Sequence, residues 1–295
     1  MESDGTMNLL HRTRVVGLVA GLAMLFASAC GGATAPASPT AAAPAAATPS
    51  ASPTPVPVTG KVTVFAASSL ADVFKAIGAS FQKENPGVTV EFNFGASSAI
   101  EAQLEQAAPA DVFASADTAN MQKAIDKGLP DGAAVTFARN LPVVVVPADN
   151  RAAILTPKDL AKPGTKIVFA APEVPIGNYA RQIIDKLAAD PAFGAAFKDA
   201  VTKNIVSNEA SVKAVLTKIE LGEADAGIVY KTDALVSGAK VKTVAVPGSA
   251  NVIATYPIAV IKTTKNRDAS AAFVAYVAGP AGQQALKTAG FDAAK

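Results

Sequence analysis

The chain has 295 residues and a formal charge of +2, half of its residues are hydrophobic, and its single histidine and single cysteine are His11 and Cys30. This length allows about two domains with a sizeable core, and the scattered lysines form no basic stripe of the kind that nucleic acids require. Beyond residue 30 the chain lacks the usual zinc ligands, a histidine base and a cysteine nucleophile. A Ser-His-Asp triad is therefore excluded there.

The first 30 residues have the pattern of an export signal. Basic residues precede an apolar run at 15–26, which is too short to span a bilayer, and small residues follow at 27–29 before Cys30. The segment resembles a bacterial lipoprotein signal, although Ala27 stands where that signal usually has leucine; ordinary secretory cleavage is the alternative. The resemblance implies a signal peptide at 1–29, a lipid-modified Cys30 and an exported protein held on the extracytoplasmic face of the membrane. Either Met1 or Met7 can be the start.

Residues 30–60 form a tract of alanine, proline, serine and threonine without a charged residue. Such a composition cannot build a core, and its prolines favour extended conformations. The tract is therefore interpreted as a tether between a lipid anchor and a globular body that begins at residue 61.

From residue 61 onward, predicted strands alternate with predicted helices. Strands are predicted at 61–66, 88–94, 110–115, 141–146, 166–170, 226–230, 241–246 and 256–261. Helices are predicted at 70–85, 99–106, 118–127, 157–160, 178–188, 191–200, 211–221, 269–277 and 281–289. This alternation predicts an α/β fold with parallel sheets covered on both faces. Ligands of such sheets bind beyond the carboxyl ends of the strands.

Two matching segments carry the strongest functional signal. VFAASSLADVF at 64–74 and FNFGASSAIEAQL at 92–104 each combine a short apolar strand, a small-residue turn with two serines, and the start of a helix. Such a turn directs free backbone N–H groups and hydroxyls at one place, which suits an anion. Two of these turns predict an oxyanion receptor. The alternative for Ser69 and Ser97 is helix N-capping, and Ser98 competes with Ser97 for either role.

Seven motifs in a fixed order extend this signal: AASSL, FGASSAI, APADVFASAD, VVVVP, PEVPIGNYA, GIVYKTDA and YPIAV. Together they resemble the molybdate-binding proteins of bacterial ABC importers, the ModA family, over residues 61–295. The resemblance implies a two-lobed, periplasmic-binding-protein-like (type II) α/β fold with the ligand in the cleft. Each lobe would hold a mostly parallel sheet flanked by helices, with one lobe at 61–141 plus 253–295 and the other at 142–252.

The resemblance also implies the residues that hold the ligand. Hydroxyl donors fall on Ser69, Ser97 and Tyr230, and backbone N–H donors fall on Ile176 and Val212. The ligand would be molybdate or tungstate, bound without a cation site, a cofactor or a charged side chain. The protein would be a monomer that delivers this oxyanion to an ABC transporter permease.

Three alternatives remain open. The same architecture could bind another oxyanion such as sulfate or phosphate, because the sequence does not report the radius of the cage. An enzyme with a Ser/Lys or Asp mechanism is not excluded by composition, although no P-loop pattern is present and we expect no enzyme. A ferric-ion receptor would need clustered tyrosines, and the four tyrosines are far apart in sequence. Asp111 and Asp117 resemble a metal-binding or acid pair, but we expect them to cap and orient local turns.

Overall fold

The computed structural model describes residues 58–294. The predicted signal peptide, Cys30 and the tether up to residue 57 lie outside the described residues. In the part of the chain that is described, no helix is long and apolar enough to cross a bilayer.

The described residues form ten strands and nine α-helices. The strands are β1 (Gly60–Ala67), β2 (Val88–Gly95), β3 (Val112–Ala114), β4 (Val135–Asn140), β5 (Pro142–Pro147), β6 (Ile167–Ala170), β7 (Ile205–Glu209), β8 (Ala226–Tyr230), β9 (Val241–Val244) and β10 (Ala254–Val260). The helices are α1 (Ala71–Glu84), α2 (Ser97–Glu105), α3 (Thr118–Asp126), α4 (Pro175–Ala189), α5 (Phe197–Asn204), α6 (Val212–Glu220), α7 (Lys231–Ser237), α8 (Arg267–Ala278) and α9 (Pro280–Thr288). Short 3-10 turns occupy Ser68–Leu70, Pro157–Ala161 and Gly238–Lys240.

The strands form two five-stranded sheets. The first sheet has the order β2-β1-β3-β10-β4 and the second has the order β7-β6-β8-β5-β9. The chain passes from the first sheet to the second at Leu141, between β4 and β5, and returns between β9 and β10. The predicted α/β class and the helix-flanked sheets are confirmed.

Each sheet is mixed, with four of its five strands running in one direction and one running against them. In the first sheet β1 runs parallel to β2 and β3, whereas β10 runs antiparallel to β3 and β4. In the second sheet β6 runs parallel to β7 and β8, whereas β5 runs antiparallel to β8 and β9. The antiparallel strand is the one that enters directly from the other sheet. It lacks the helical crossover that makes neighbouring strands parallel.

Helices pack on the sheets through the apolar faces that the helical period predicts. The face of α1 buries Val73, Phe74, Ile77 and Phe81, and its Phe81 ring meets the Phe273 ring of α8 edge-on at 5.5 Å. On the second sheet α4 buries eight residues along its length. Full burial of each large apolar side chain contributes about 1.5–3 kcal/mol. This packing fixes the helix N-termini against the strand ends.

Several predicted boundaries were wrong. Strands β4 and β7 and helix α7 were missed, and the helix predicted at 191–200 begins only at Phe197. β4 and β7 are edge strands, and the exposure of Val135 and Val206 shows why their apolar pattern is weak. The late start of α5 follows from a local turn, because the Asp190 carboxylate accepts a hydrogen bond from Ala192 N–H at 2.9 Å.

Candidate functional site

Ser69 lies where the first strand turns into its helix. β1 ends at Ala67, and the 3-10 turn that follows holds Ser69 in its middle, almost fully buried. The Ser69 hydroxyl caps neither the turn nor α1, since Ala67 and Leu70 occupy the capping positions without a side-chain bond. Instead, Ser69 Oγ and Tyr256 Oη share a hydrogen bond of 3.1 Å. The N-cap alternative for Ser69 is therefore wrong.

Ser97 occupies the equivalent place after β2. It is the first residue of α2, and its side chain is 1% exposed. Ala96, not Ser97, stands at the N-cap position. Ser97 Oγ accepts a hydrogen bond from Ala116 N–H at 2.9 Å, which ties the turn after β2 to the turn after β3. The hydroxyl hydrogen of Ser97 is thereby left for a different acceptor.

The second sheet presents the N-termini of two helices. α4 begins at Pro175, three residues before its predicted start, so Ile176 is the second residue of its first turn. α6 begins at Val212, after Ser211, whose hydroxyl oxygen accepts from Ala214 N–H at 3.2 Å. By helix geometry the N–H groups of Ile176 and Val212 have no acceptor within their own helix. They also carry the positive end of the helix dipole.

Gly177 explains how α4 can begin so close to the end of β6. A Cβ atom at this position would lie 2.0 Å from the carbonyl oxygen of Ala171 and 2.4 Å from that of Ala170. A side chain of any size would therefore push the first turn of α4 away from the sheet. The glycine allows the Ile176 N–H group to reach the space between the two sheets.

Tyr230 is the last residue of β8 and is 1% exposed. Its hydroxyl has no hydrogen-bond partner among the described residues. Burial raises the pKa of Tyr230 well above its usual value, so the phenol keeps its proton and acts as a donor. A buried hydroxyl without a partner is unfavourable, which points to a group from outside the chain as its acceptor.

These residues surround one small cavity between the ends of the two sheets. The cavity is small: the space open to the centre of a water molecule is about 10 Å³, which is room for about one water. Its lining residues are Ala67, Ser68, Ser69, Gly95, Ala96, Ser97, Ala116, Val174, Pro175, Ile176, Val212 and Tyr230. All five predicted ligand-binding residues are among them, and Ser98 is not. No lining residue carries a charge.

Two cations, Lys213 and Lys231, directly follow site residues in the sequence, and carboxylates hold both of them. Lys213 follows Val212, but its Nζ lies 3.0 Å from an Asp72 carboxylate oxygen and 3.3 Å from one of Asp233. Asp72 belongs to α1, whereas Asp233 belongs to α7, so this ammonium group joins elements of both sheets. A guest in the cavity therefore meets neutral donors.

The two aspartates of the ADVFASAD motif are structural. Asp117 is the N-cap of α3 and accepts a hydrogen bond from Asn120 N–H at 2.9 Å, as predicted. Asp111 accepts from Thr63 N–H at 2.7 Å and from the Thr264 hydroxyl. Neither residue lines the cavity.

The tyrosines are less scattered than their sequence positions indicate. The ring of Tyr230 packs edge-on against the rings of Tyr179 and Tyr256, with ring centres 6.5 Å and 5.7 Å apart. Separation in the sequence was therefore a poor reason to set the ferric alternative aside. A better reason is that, of these three tyrosines, Tyr230 alone lines the cavity.

Tyr256 was missed as a neighbour of the site. Tyr256 is completely buried and contacts Ser69, which lies 187 positions away in the sequence. The residues around Tyr256 give no local sign of a role at the site, because the YPIAV segment predicts only an apolar strand. Only the pairing of β10 with β3 brings it behind the serine turn.

Comparison with known proteins identifies the family. The family model for a bacterial extracellular solute-binding protein matches residues 62–292. The molybdate-binding protein ModA of Mycobacterium tuberculosis is 40% identical over 282 residues, which cover 94% of this chain and 98% of that protein. The chain belongs to the ModA family of bacterial extracellular solute-binding proteins. The resemblance predicted from its motifs is confirmed.

Solved structures agree with the two-lobed architecture of this ModA-family chain. The substrate-binding domain of a putative molybdenum ABC transporter from Clostridium difficile has a TM-score of 0.61 at 29% identity and covers 80% of this chain and 99% of that chain. The sulfate-binding protein SubI from M. tuberculosis has a TM-score of 0.70 at 20% identity and covers 78% of this chain and 86% of that chain. The second likeness shows the fold alone.

Proposed function

We propose that this protein captures molybdate, and tungstate in the same way, outside the cytoplasm and delivers it to an ABC transporter permease. The observation that carries the proposal is the cavity itself, where hydroxyl and N–H donors from both sheets surround a space without a charged side chain. Molybdate is proposed as the ligand because the M. tuberculosis relative is named a molybdate-binding protein.

The chemistry of the proposed site suits a fully deprotonated tetrahedral dianion. Such an ion offers only acceptors, and the proposed contacts from Ser69, Ser97, Tyr230, Ile176 and Val212 are all donors. A hydrogen bond to a charged acceptor contributes about 1.5–3 kcal/mol, and the N-termini of α4 and α6 add favourable dipoles. Neutral donors hold the ion without the need to desolvate a second charge.

The two sheets are proposed as the cores of two lobes that close on the ligand, at residues 61–141 plus 253–295 and 142–252. The two places where the chain changes sheets support this division. A hinge at these crossings predicts compaction on binding. Small-angle scattering that shows an unchanged radius of gyration at saturating molybdate would argue against closure.

Titration calorimetry with molybdate, tungstate, sulfate and phosphate tests the ligand. We expect both metallates to bind at micromolar concentrations or below, with sulfate and phosphate much weaker. Binding of sulfate in that range, with no heat from molybdate, would overturn the choice of ligand and leave an oxyanion receptor of the same fold. Binding without turnover is expected throughout, since we propose a transport receptor and not an enzyme.

A lipid anchor on Cys30 is proposed for the membrane attachment. The basic start, the short apolar run and the small residues before the cysteine support it. The test is fractionation of cells that express the full chain or its Cys30→Ser variant. The wild type should remain with the membrane and the variant should be released; retention of both would contradict the anchor.

A further inference from the structure

Two ion pairs of nearly the same kind join the proposed lobes. Lys213 Nζ lies 3.0 Å from an Asp72 carboxylate oxygen, and Lys231 Nζ lies 3.2 Å from one of Asp292. In each pair the lysine belongs to the lobe at 142–252 and the aspartate to the lobe at 61–141 plus 253–295. The aspartate side chains are 54% and 50% exposed, and the lysine side chains are 32% and 35% exposed. The two pairs therefore differ mainly in where they lie.

The pair of Lys231 with Asp292 lies beside the first crossing between the sheets, at Leu141. Lys231 N–H donates to the Leu141 carbonyl oxygen at 2.8 Å. Asp292 exchanges two backbone hydrogen bonds of 2.9 Å with Arg139, which stands two residues before Leu141. Both members of this ion pair are thus bonded to the backbone at or next to the crossing.

The second crossing is bonded to the first. The side chain of Asn251, three residues before β10, donates from Nδ2 to the Pro142 carbonyl oxygen at 3.1 Å. A hinge through both crossings therefore runs beside the pair of Lys231 with Asp292. Atoms beside a hinge nearly keep their distances when the lobes rotate, so we expect this pair to persist in open and closed states.

The pair of Lys213 with Asp72 lies beside the cavity. Lys213 directly follows Val212, and Asp72 stands three residues after Ser69, in the first turn of α1. Val212 and Ser69 line the cavity from opposite sheets. Lobes that part to release a ligand must separate Val212 from Ser69, and they separate the neighbouring ion pair with them.

Asp233 holds Lys213 from within its own lobe. The Asp233 side chain, on α7, is 1% exposed, and a carboxylate oxygen lies 3.3 Å from Lys213 Nζ. A buried carboxylate that lost its cation would be strongly unfavourable, so the ammonium group stays with Asp233 when the lobes part. Opening therefore breaks only the contact of Lys213 with Asp72.

We propose that Asp72 and Lys213 form a latch on the closed lobes, which slows the release of the oxyanion and leaves the rate of capture unchanged. The inference rests on the proposed function, and it adds what sets the residence time of the ligand. Capture begins from open lobes, in which the latch is not formed, so the latch cannot assist it. Release needs the lobes to part, and the ion pair must break for this to happen.

The test compares Asp72→Asn with Asp292→Asn, which removes the same charge from the matched pair beside the hinge. Calorimetry gives the Kd of molybdate, a chase of isotopically labelled molybdate with excess unlabelled ion gives the release rate, and the two together give the capture rate. We expect Asp72→Asn to release molybdate about two- to fivefold faster, the size of a partly exposed ion pair, at an unchanged capture rate. Asp292→Asn should match the wild type in both rates.

Salt and a conservative variant provide two further readouts. The release rates of the wild type and Asp72→Asn should converge at about 1 M salt, because the latch is screened there. Asp72→Glu keeps the carboxylate and should release molybdate at a rate close to that of the wild type. Thermal unfolding verifies that each variant is folded.

A merely structural Asp72 gives a different pattern. Asp72→Asn and Asp292→Asn would then accelerate release equally, or the effect of Asp72→Asn would persist at high salt, and either result overturns the latch. A loss of affinity that comes from slower capture alone also overturns it.

Wild-type titrations separate the latch from the proposed function. If the wild type binds molybdate and releases it as fast as Asp72→Asn does, only the latch is lost. If the wild type binds sulfate instead, the molybdate proposal is lost and the same comparison with labelled sulfate tests the latch. If it binds none of the four anions, both fall together.

Discussion

The two sheets contribute to the cavity in different ways. The first sheet supplies side-chain hydroxyls, from Ser69 and Ser97, at the ends of β1 and β2. The second sheet supplies mainly backbone groups, from the first turns of α4 and α6, together with one phenol, Tyr230. The first half of the site can therefore be read from residue types. The second half depends on where helices begin, and its side chains are interchangeable in principle.

The largest effect is expected from a change in the helix start of the second sheet. Gly177→Ala would place a Cβ atom 2.0 Å from the Ala171 carbonyl oxygen, so the first turn of α4 must move. We expect a loss in the free energy of unfolding of about 3 kcal/mol or more and a large loss of oxyanion affinity. Gly248→Ala is the control, since its Cβ would meet nothing within 4 Å. Chemical denaturation and calorimetry measure both; equal behaviour of the two variants would contradict the close approach.

A pH effect is expected where the halves meet at Lys213. Burial raises the pKa of Asp233 to about 6, although Lys213 acts against it. The folded state thus holds this proton more tightly than the unfolded state, whose ordinary value is 3.8. The protonated Asp233 therefore stabilises the folded state fully below pH 3.8. This contribution to the free energy of unfolding, on the order of 3 kcal/mol, is lost as the pH rises through 6. Urea unfolding at several pH values should show Asp233→Asn gaining stability relative to wild type over this window; a constant difference would contradict it.

Removal of one backbone donor should separate the two kinds of contact directly. Val212 is the first residue of α6, where proline fits the helix and where the N–H has no helical acceptor. Ser211 already has the extended backbone that precedes a proline. We expect Val212→Pro to weaken oxyanion binding by about 1.5–3 kcal/mol, whereas Val212→Ala keeps the N–H and most of the affinity. Equal affinities in calorimetry would remove this N–H from the site.

Removal of single hydroxyls tests the first sheet. Ser69→Ala and Ser97→Ala should each weaken binding by about 1–3 kcal/mol. Ser97→Ala should have the larger effect because it also leaves the Ala116 N–H without its acceptor. Ser98→Ala is the matched control, because Ser98 does not line the cavity. Unchanged calorimetric affinity in both site variants would contradict the claim that the first sheet binds the ligand through its serine hydroxyls.

The smallest effect is expected from the ion pair that joins the halves. The Asp72 side chain is 54% exposed, and its pair with Lys213 contributes about 0.2–1 kcal/mol. Asp72→Asn should weaken binding by no more than this amount, and the difference should shrink at high salt. Glu91→Gln is the control, since its pair with Lys61 lies within the first sheet. A salt-independent difference in affinity would rule out a screened ion pair.

Much of this could be predicted from local sequence. The serine turns with Ser69 and Ser97 and the alternation of strands and helices follow from patterns a few residues long, whereas Tyr230 was singled out by the family resemblance. Edge strands such as β4 and β7 were missed because one of their faces remains partly exposed. The roles of Ile176 and Val212 came only from family resemblance, because a backbone donor leaves no mark in the side chain.

The sequence by itself determined the fold class, the family and the chemical nature of the donors, because hydrophobic period and turn composition act over neighbouring residues. Only the tertiary structure decided that Tyr256 lies against Ser69 and that three tyrosines share one cluster. It also decided that the first turns of α4 and α6 meet the serine turns at one cavity. These contacts depend on the order of strands in two mixed sheets, and sheet order is set by packing over the whole chain.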